Sequence, residues 1–275
     1  MKFRTEIGPL KGSFTIDHSD RIVMLGSCFA DSISEQLRLD GFDVTANPMG
    51  PLYNPMSLAR VFDLKRLLMV CDGNDYHCLD FASRYTAPEL DQLEAMVHAD
   101  LDPLREAINR ATAIIITFGS ARVYRHLRLD AFVGNCHRLP AADFAVEMLT
   151  VDQIVDRWRA LLPGGKKVIF TVSPIRYVAD GLTANSLSKA ILRVAVDQIT
   201  TQTGADYFPS FEILNDDLRD YRFYAADLKH PSDQAVEYVY EHFARTYFSP
   251  ATAEEAARRR RLAMQSRHIP NFHRQ

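Results

Sequence analysis

The chain has 275 residues, of which 47% are apolar and 24% charged, and its formal net charge is −3. This length and composition allow a buried core without disulfide or metal staples, and the charge gives no sign of a nucleic-acid partner. The four cysteines are irregularly spaced, which indicates free thiols. Neither a secretion signal nor a run of about 18 apolar residues is visible, so we expect a cytoplasmic protein without a membrane segment.

Short apolar runs alternate with segments of helical periodicity, which predicts an α/β fold. Buried strands are predicted at residues 21–26, 43–45, 112–118, 167–172 and 206–208. Helices are predicted after the first strand, after Pro231, and at residues 56–70, 88–110, 151–161, 186–203 and 251–264. The segment around residues 72–75 is predicted to be a loop or hairpin.

The order of these elements predicts one doubly wound domain over residues 1–250, with a parallel sheet of about five strands. Residues 56–111, between the second and third major strands, are expected to form a helical cap over the cleft. Residues 251–275 are expected to form a helical tail, in which the arginines at 258–261 lie on a solvated surface. Functional residues in such folds gather beyond the carboxyl ends of the strands.

Two strand ends carry residue types that suit nucleophilic catalysis. Ser27 lies between the first strand and its helix, where the helix N-terminus favours developing negative charge. His230 is a candidate base for this hydroxyl, and Asp227 is a candidate to orient the imidazole ring. Gly50, in the loop after the second strand, is a candidate backbone oxyanion donor. Taken singly, Gly-Ser is a common helix cap and Asp-x-x-His is a frequent chance pattern, so only the combination favours catalysis.

The pentapeptide Gly26-Ser27-Cys28-Phe29-Ala30 resembles the signature of the GSCFA family, which is itself similar to the SGNH (GDSL-like) hydrolases. The resemblance covers about residues 10–250. It implies a three-layer α/β/α fold of the SGNH-hydrolase or flavodoxin-like type. Further family-like segments are found at residues 47–55, 119–124, 135–137, 173–176, 187–190, 207–212 and 221–225.

The resemblance implies that Ser27 is the nucleophile and that Asp227 and His230 complete a triad. It also implies that the N–H groups of Ser27 and Gly50 bind the oxyanion. The usual third donor is an asparagine, but the third block of this chain has alanine at that position, in Gly119-Ser120-Ala121. A missing donor weakens transition-state binding by about 3 kcal/mol, and Asn135 and Ser120 are the candidate replacements.

Other residues near the strand ends are candidates for substrate binding. Tyr53, Gly119 and Tyr124 are candidates to line an acyl or sugar pocket. Arg176, like Arg122, is a candidate to bind a carboxylate or phosphate, although a structural ion pair explains either arginine equally well. The cysteines and histidines at 71–78 and 136–137 lack the paired spacing of a structural zinc site, so no metal and no cofactor are expected.

These observations favour a serine esterase that hydrolyses a short acyl ester, with acetyl as the expected acyl group. The expected substrate is a small molecule or a carbohydrate, by analogy with SGNH enzymes. Two alternatives stay open. One is an O-acyltransferase that uses the same triad, and the other is a catalytically silent ligand-binding protein, which the missing asparagine makes credible.

Overall fold

The computed structural model describes residues 4–162 and 164–267, so the last eight residues of the predicted tail lie outside the described part. The strands are β1 (Arg21–Gly26), β2 (Asp43–Ala46), β3 (Met69–Cys71), β4 (Tyr76–Cys78), β5 (Thr86–Ala87), β6 (Ala113–Phe118), β7 (Arg122–His126), β8 (Ala131–Val133), β9 (Phe144–Met148), β10 (Lys167–Val172) and β11 (Asp206–Phe208).

The α-helices are α1 (Cys28–Leu39), α2 (Pro55–Asp63), α3 (Leu90–Arg110), α4 (Val151–Arg159), α5 (Gly181–Thr203), α6 (Ser210–Glu212), α7 (Asp233–Tyr247) and α8 (Pro250–Arg267). A π-helical segment, Ile213–Leu218, directly follows α6. Short 3₁₀ turns occur at Ala141–Asp143 and Tyr221–Phe223. Among the described helices, none combines the length and the apolar character needed to cross a membrane.

The centre of the molecule is a five-stranded sheet with the order β11-β10-β6-β1-β2, and all neighbouring strands are parallel. This confirms the predicted fold class and sheet. The middle strands are apolar on both faces because helices cover both. Alternate residues face opposite sides: Val23 and Leu25 pack with α2 to α5, whereas Ile22 and Met24 pack with α1 and α7. The α8 helix adds Ala256 to the second core.

The segment at residues 56–111 differs from the expected cap. The helix predicted at 56–70 ends at Asp63, and the chain then forms the antiparallel sheet β3-β4-β5, which includes the hairpin around residues 72–75. The apolar face of α3 packs into the core against the central sheet. No residue of this segment lines the cleft described below, so the expectation of a helical cap needs correction. The division into 1–250 and 251–275 stays a prediction.

Residues 122–148 form a second small sheet that the sequence reading missed. Its order is β8-β7-β9, with antiparallel pairing throughout. The sheet follows directly after the end of β6, so it stands beside the carboxyl edge of the central sheet. Its first strand contributes Arg122 and Tyr124 to the cleft. The α5 helix also begins five residues earlier than predicted, at Gly181.

Candidate active site

A cleft of about 510 Å³ lies beyond the carboxyl ends of β1, β6 and β10. Parallel strands bring the loops that follow them to one edge of the sheet, which explains why distant segments meet here. The loop before α7 closes one side of the cleft. The lining of the cleft includes Ser27, Tyr53, Gly119, Ser120, Tyr124, Arg176, Lys229 and His230.

Ser27 lies on the floor of the cleft, where it is only 1% exposed. It is the N-cap of α1, and its Oγ accepts a hydrogen bond from the N–H of Phe29 at 3.3 Å. The preceding Gly26 has φ +142°, and a Cβ there would lie 2.1 Å from the carbonyl oxygen of Thr117. Only glycine fits this conformation and this close approach, so Gly26 fixes the turn that places the serine at the strand end.

Asp227 and His230 form a locally closed pair in the loop before α7. One Asp227 oxygen accepts the N–H groups of Lys229 and His230, at 2.9 and 3.0 Å. The other lies 2.5 Å from His230 Nδ1. The hydrogen bonds from the main chain and ring of His230 hold the pKa of Asp227 well below its usual range. The carboxylate therefore stays ionised and leaves Nε2 available for a proton transfer.

Ser27 and His230 line the same cleft, but no hydrogen bond joins them within the described part of the chain. The ring of His230 is half-exposed, whereas the serine is buried. Catalytic hydrogen bonds in ligand-free enzymes are often long and tighten when substrate binds. The arrangement thus brings the candidate nucleophile and the candidate base to one space without completing their contact.

The structure places Gly50 away from this site. Its N–H donates to the carbonyl oxygen of Asn47 at 2.8 Å, and a Cβ on Gly50 would meet Ala82 at 2.5 Å. Gly50 does not line the cleft. The expectation that it supplies an oxyanion donor is therefore corrected, because its only N–H is used to close the turn after β2.

The two proposed replacements for the missing asparagine differ in their position relative to the cleft. Asn135 lies outside the cleft lining, which includes Gly134 instead, and its Oδ1 accepts the N–H of His137 at 2.8 Å. Ser120 does line the cleft. Its hydroxyl lies 3.3 Å from Ser188 Oγ, and its N–H donates to the carbonyl oxygen of Tyr53 at 2.9 Å.

The first turn of α1 offers one donor that the sequence did not single out, next to the expected N–H of Ser27. The N–H of Cys28 has no acceptor among the described residues, as expected for the first residue of a helix. The N–H of Ser27 is held by the carbonyl oxygen of Thr117 at a long 3.3 Å. The helix dipole adds positive potential at this end. The rule that first-turn N–H groups lack partners is the signal that could have identified Cys28.

The predicted substrate-binding residues all line the cleft. Tyr53 is 45% exposed, and its hydroxyl lies 3.1 Å from Cys28 Sγ. Gly119 packs beside the serine, since a Cβ at this position would lie 3.3 Å from Ser27 Cβ. Tyr124 packs under the guanidinium of Arg122, with the ring centroid 4.6 Å away. Arg176 also lines the cleft.

Lys189 lies beneath the cleft and is 2% exposed. Its ammonium donates to the carbonyl oxygens of Gly119 and Ser173, at 2.7 and 2.6 Å. Burial lowers the pKa of this amine to about 7. The preceding Ser188 accepts the N–H of Ala121 at 2.8 Å. Together these two residues of α5 tie down the ends of β6 and β10, which form the floor of the cleft.

The histidines near the cysteines make ordinary polar contacts. His77 bonds Asp72 at 3.1 Å and Thr86 at 3.0 Å, and His137 bonds Thr86 at 3.2 Å and the carbonyl oxygen of Phe81 at 3.2 Å. Over residues 4–162 and 164–267, no group of three or more histidine, cysteine, aspartate or glutamate side chains has the arrangement of a metal site.

The family model of the GSCFA family matches residues 21–243, which is most of the chain. The chain belongs to the GSCFA family. No curated protein matches the sequence of this GSCFA protein significantly. Similar solved structures include two mutants of Axe2 from Geobacillus stearothermophilus, described as an acetyl-xylooligosaccharide esterase and as a catalytic mutant of an acetylxylan esterase. Each has a TM-score of 0.43 and 11% identity, over 84% of this chain and 95% of the Axe2 chain.

Proposed function

We propose that this GSCFA protein is a serine esterase of the SGNH type that hydrolyses a short acyl ester of a small molecule or carbohydrate. One observation carries the proposal: a serine at the N-terminus of a helix and a preassembled Asp227–His230 pair line the same cleft. The two parts lie about 200 residues apart in sequence. Their meeting in one cleft supports nucleophilic catalysis, which requires a base close enough to take the proton of the serine.

In the first half of the reaction, Ser27 Oγ attacks the acyl carbon while its proton passes to His230 Nε2. The tetrahedral intermediate then collapses, and the bond between the acyl carbon and the alcohol oxygen breaks. His230 gives its proton to that oxygen, so the alcohol leaves neutral and the acyl group remains on Ser27. Asp227 stays ionised throughout and stabilises the imidazolium form of the ring.

In the second half, water attacks the acyl carbon and gives a proton to His230. The bond between that carbon and Ser27 Oγ breaks, the serine recovers its proton from His230, and the carboxylic acid is released. The N-terminus of α1 supplies the oxyanion donors. The N–H of Cys28 has no acceptor among the described residues, and the N–H of Ser27 is held only by a long 3.3 Å bond to the carbonyl oxygen of Thr117, which it would have to leave.

A fluorophosphonate probe tests this proposal without knowledge of the substrate, because it reacts only with an activated serine. The wild-type protein and the Ser27→Ala variant are treated with the probe, and intact masses are recorded. We expect one adduct on the wild type and none on the variant. A matched Ser32→Ala variant, one turn further along α1, should label like the wild type.

The alternative of a silent ligand-binding protein has an observation in its favour, since Ser27 is buried and makes no hydrogen bond to His230 in the described structure. Absence of an adduct on correctly folded wild-type protein would favour this alternative. An adduct that persists in Ser27→Ala would contradict the assignment of the nucleophile.

A further inference from the structure

Two arginines line the cleft, and their surroundings differ in charge. Arg122 pairs with Asp180 at 3.2 Å and donates to the hydroxyl of Tyr177 at 3.1 Å. Arg176 is half-buried and forms no ion pair with any residue in the described ranges. The cleft therefore contains one neutralised guanidinium and one whose charge no carboxylate in the described part of the chain balances.

Aromatic rings hold the guanidinium of Arg176 in place. Its central carbon lies 4.1 Å from the ring centroid of Tyr224 and 4.9 Å from that of Tyr221. Stacking on rings orders the planar group and leaves the N–H groups at its edge free to donate. A guanidinium that is ordered in advance loses little side-chain entropy when it binds an anion. Its fork geometry matches a carboxylate or a phosphate in a bidentate manner.

The acidic groups nearby do not compete for this arginine. Asp220 pairs with Arg222 at 3.0 Å, and Asp227 is held by His230. Lys229 lines the same part of the cleft and likewise forms no ion pair among the described residues. Two cations therefore face the space beside the imidazole, and an anionic ligand is the partner that complements them.

The position of Arg176 relative to the histidine indicates which part of the substrate carries the anion. The N–H of Arg176 donates to the carbonyl oxygen of Lys229 at 3.1 Å, so its main chain lies against the histidine loop. In the proposed reaction, His230 protonates the oxygen of the departing alcohol, which places the alcohol portion on the histidine side of the cleft. Arg176 is thus on the leaving-group side.

We infer that the alcohol portion of the ester carries a carboxylate or phosphate group, which Arg176 binds and Lys229 helps to attract. The assignment of the anion to the alcohol portion rests on the proposed esterase function, because that function defines which side of the cleft holds the leaving group. Arg176 is a specificity-determining residue: it selects the alcohol and takes no part in the proton transfers. Uronic acids and sugar phosphates are alcohols of this class.

Three acetyl esters that share one sugar scaffold test the inference. Their alcohols are methyl glucoside, the corresponding uronic acid, and the corresponding 6-phosphate. We expect the wild type to prefer one or both anionic esters. Arg176→Met should lower kcat/KM for them by about 10- to 100-fold more than for the neutral ester, mainly through KM. Arg128→Met removes the same charge from an exposed position outside the cleft lining and should keep the preference.

Calorimetry on the Ser27→Ala variant separates this inference from the esterase proposal, since binding of the intact esters requires no turnover. Tighter binding of the uronic ester identifies a carboxylate ligand, and tighter binding of the phosphate ester identifies a phosphate. Either result supports the inference even if no ester is hydrolysed. Equal affinity for all three esters, absence of binding, or an equal loss in Arg176→Met and Arg128→Met would overturn it.

Discussion

Replacing the buried Lys189 with methionine should remove a pH dependence of stability that the wild-type protein carries. The ammonium group contacts two carbonyl oxygens, at 2.7 and 2.6 Å, and forms no ion pair with a described carboxylate. A buried cation without a counter-charge is disfavoured relative to its neutral form. Burial accordingly lowers the pKa of Lys189 from 10.5 to about 7.

The direction of the effect follows from proton binding in the two states. Between pH 7 and pH 10.5 the unfolded chain binds a proton at Lys189 that the native protein lacks, so stability rises with pH in this range. The gain is lost as the pH falls towards 7, and below that both states are protonated and the contribution is constant. One pH unit corresponds to about 1.4 kcal/mol. With Lys189 half protonated at pH 7, the gain between pH 7 and pH 9 is about 2 kcal/mol.

Urea unfolding at pH 7, 8 and 9, followed by circular dichroism, measures this gain. The difference in unfolding free energy between the wild type and Lys189→Met should change by about 2 kcal/mol in favour of the wild type across the series. A Lys65→Met variant provides the control, because this lysine is exposed. Parallel pH profiles for the wild type and Lys189→Met would refute the reasoning.

Three further substitutions test the site and the turn that holds it. Asp227→Asn should slow fluorophosphonate labelling by at least about 100-fold, because the imidazole of His230 loses the charge that orients it; an unchanged rate would contradict the triad. Gly119→Ala, whose Cβ would lie 3.0 Å from the carbonyl oxygen of Tyr53 and 3.3 Å from Ser27 Cβ, should reduce labelling and lower Tm, and a normal rate would show that the cleft tolerates a methyl group. Gly26→Ala, with φ +142° and a Cβ 2.1 Å from a carbonyl oxygen of β6, should lower the unfolding free energy by about 3 kcal/mol or more in urea titrations; a loss below about 1 kcal/mol would show that the turn relaxes.

The central sheet could be predicted from the sequence because its strands are covered on both faces. Such strands are continuous apolar runs, and β1, β10 and β11 have the predicted bounds. The sheet formed by β7, β8 and β9 gave no such signal. In β7 the charged residues Arg122 and Arg125 and the partly exposed Tyr124 interrupt the apolar pattern, and the turn after it at residues 127–130 has no glycine. The pairing of β7 with β9 joins strands that lie about 20 residues apart in sequence.

The parts of the site that depend on local sequence were the predictable ones. Asp227 and His230 lie three residues apart in one tight turn, and Ser27 is placed by a preceding glycine with positive φ at a strand end. The role of Gly50 could not be predicted in the same way. Its N–H donates a hydrogen bond to the carbonyl oxygen of Asn47, and this bond exists only in the folded turn after β2. The burial of Lys189 likewise depends on how α5 packs under two strand ends.

The main chain and the side chain of Arg176 serve different parts of the site, which makes their roles separable. Its N–H binds the carbonyl oxygen of Lys229 and so ties the histidine loop to the end of β10. A second tie is the bridge between Tyr224 and Pro231. Since both ties are made by backbone atoms, Arg176→Met keeps them. Retained fluorophosphonate labelling with lost anion preference would therefore assign the side chain to substrate binding, whereas lost labelling would assign it to the positioning of His230.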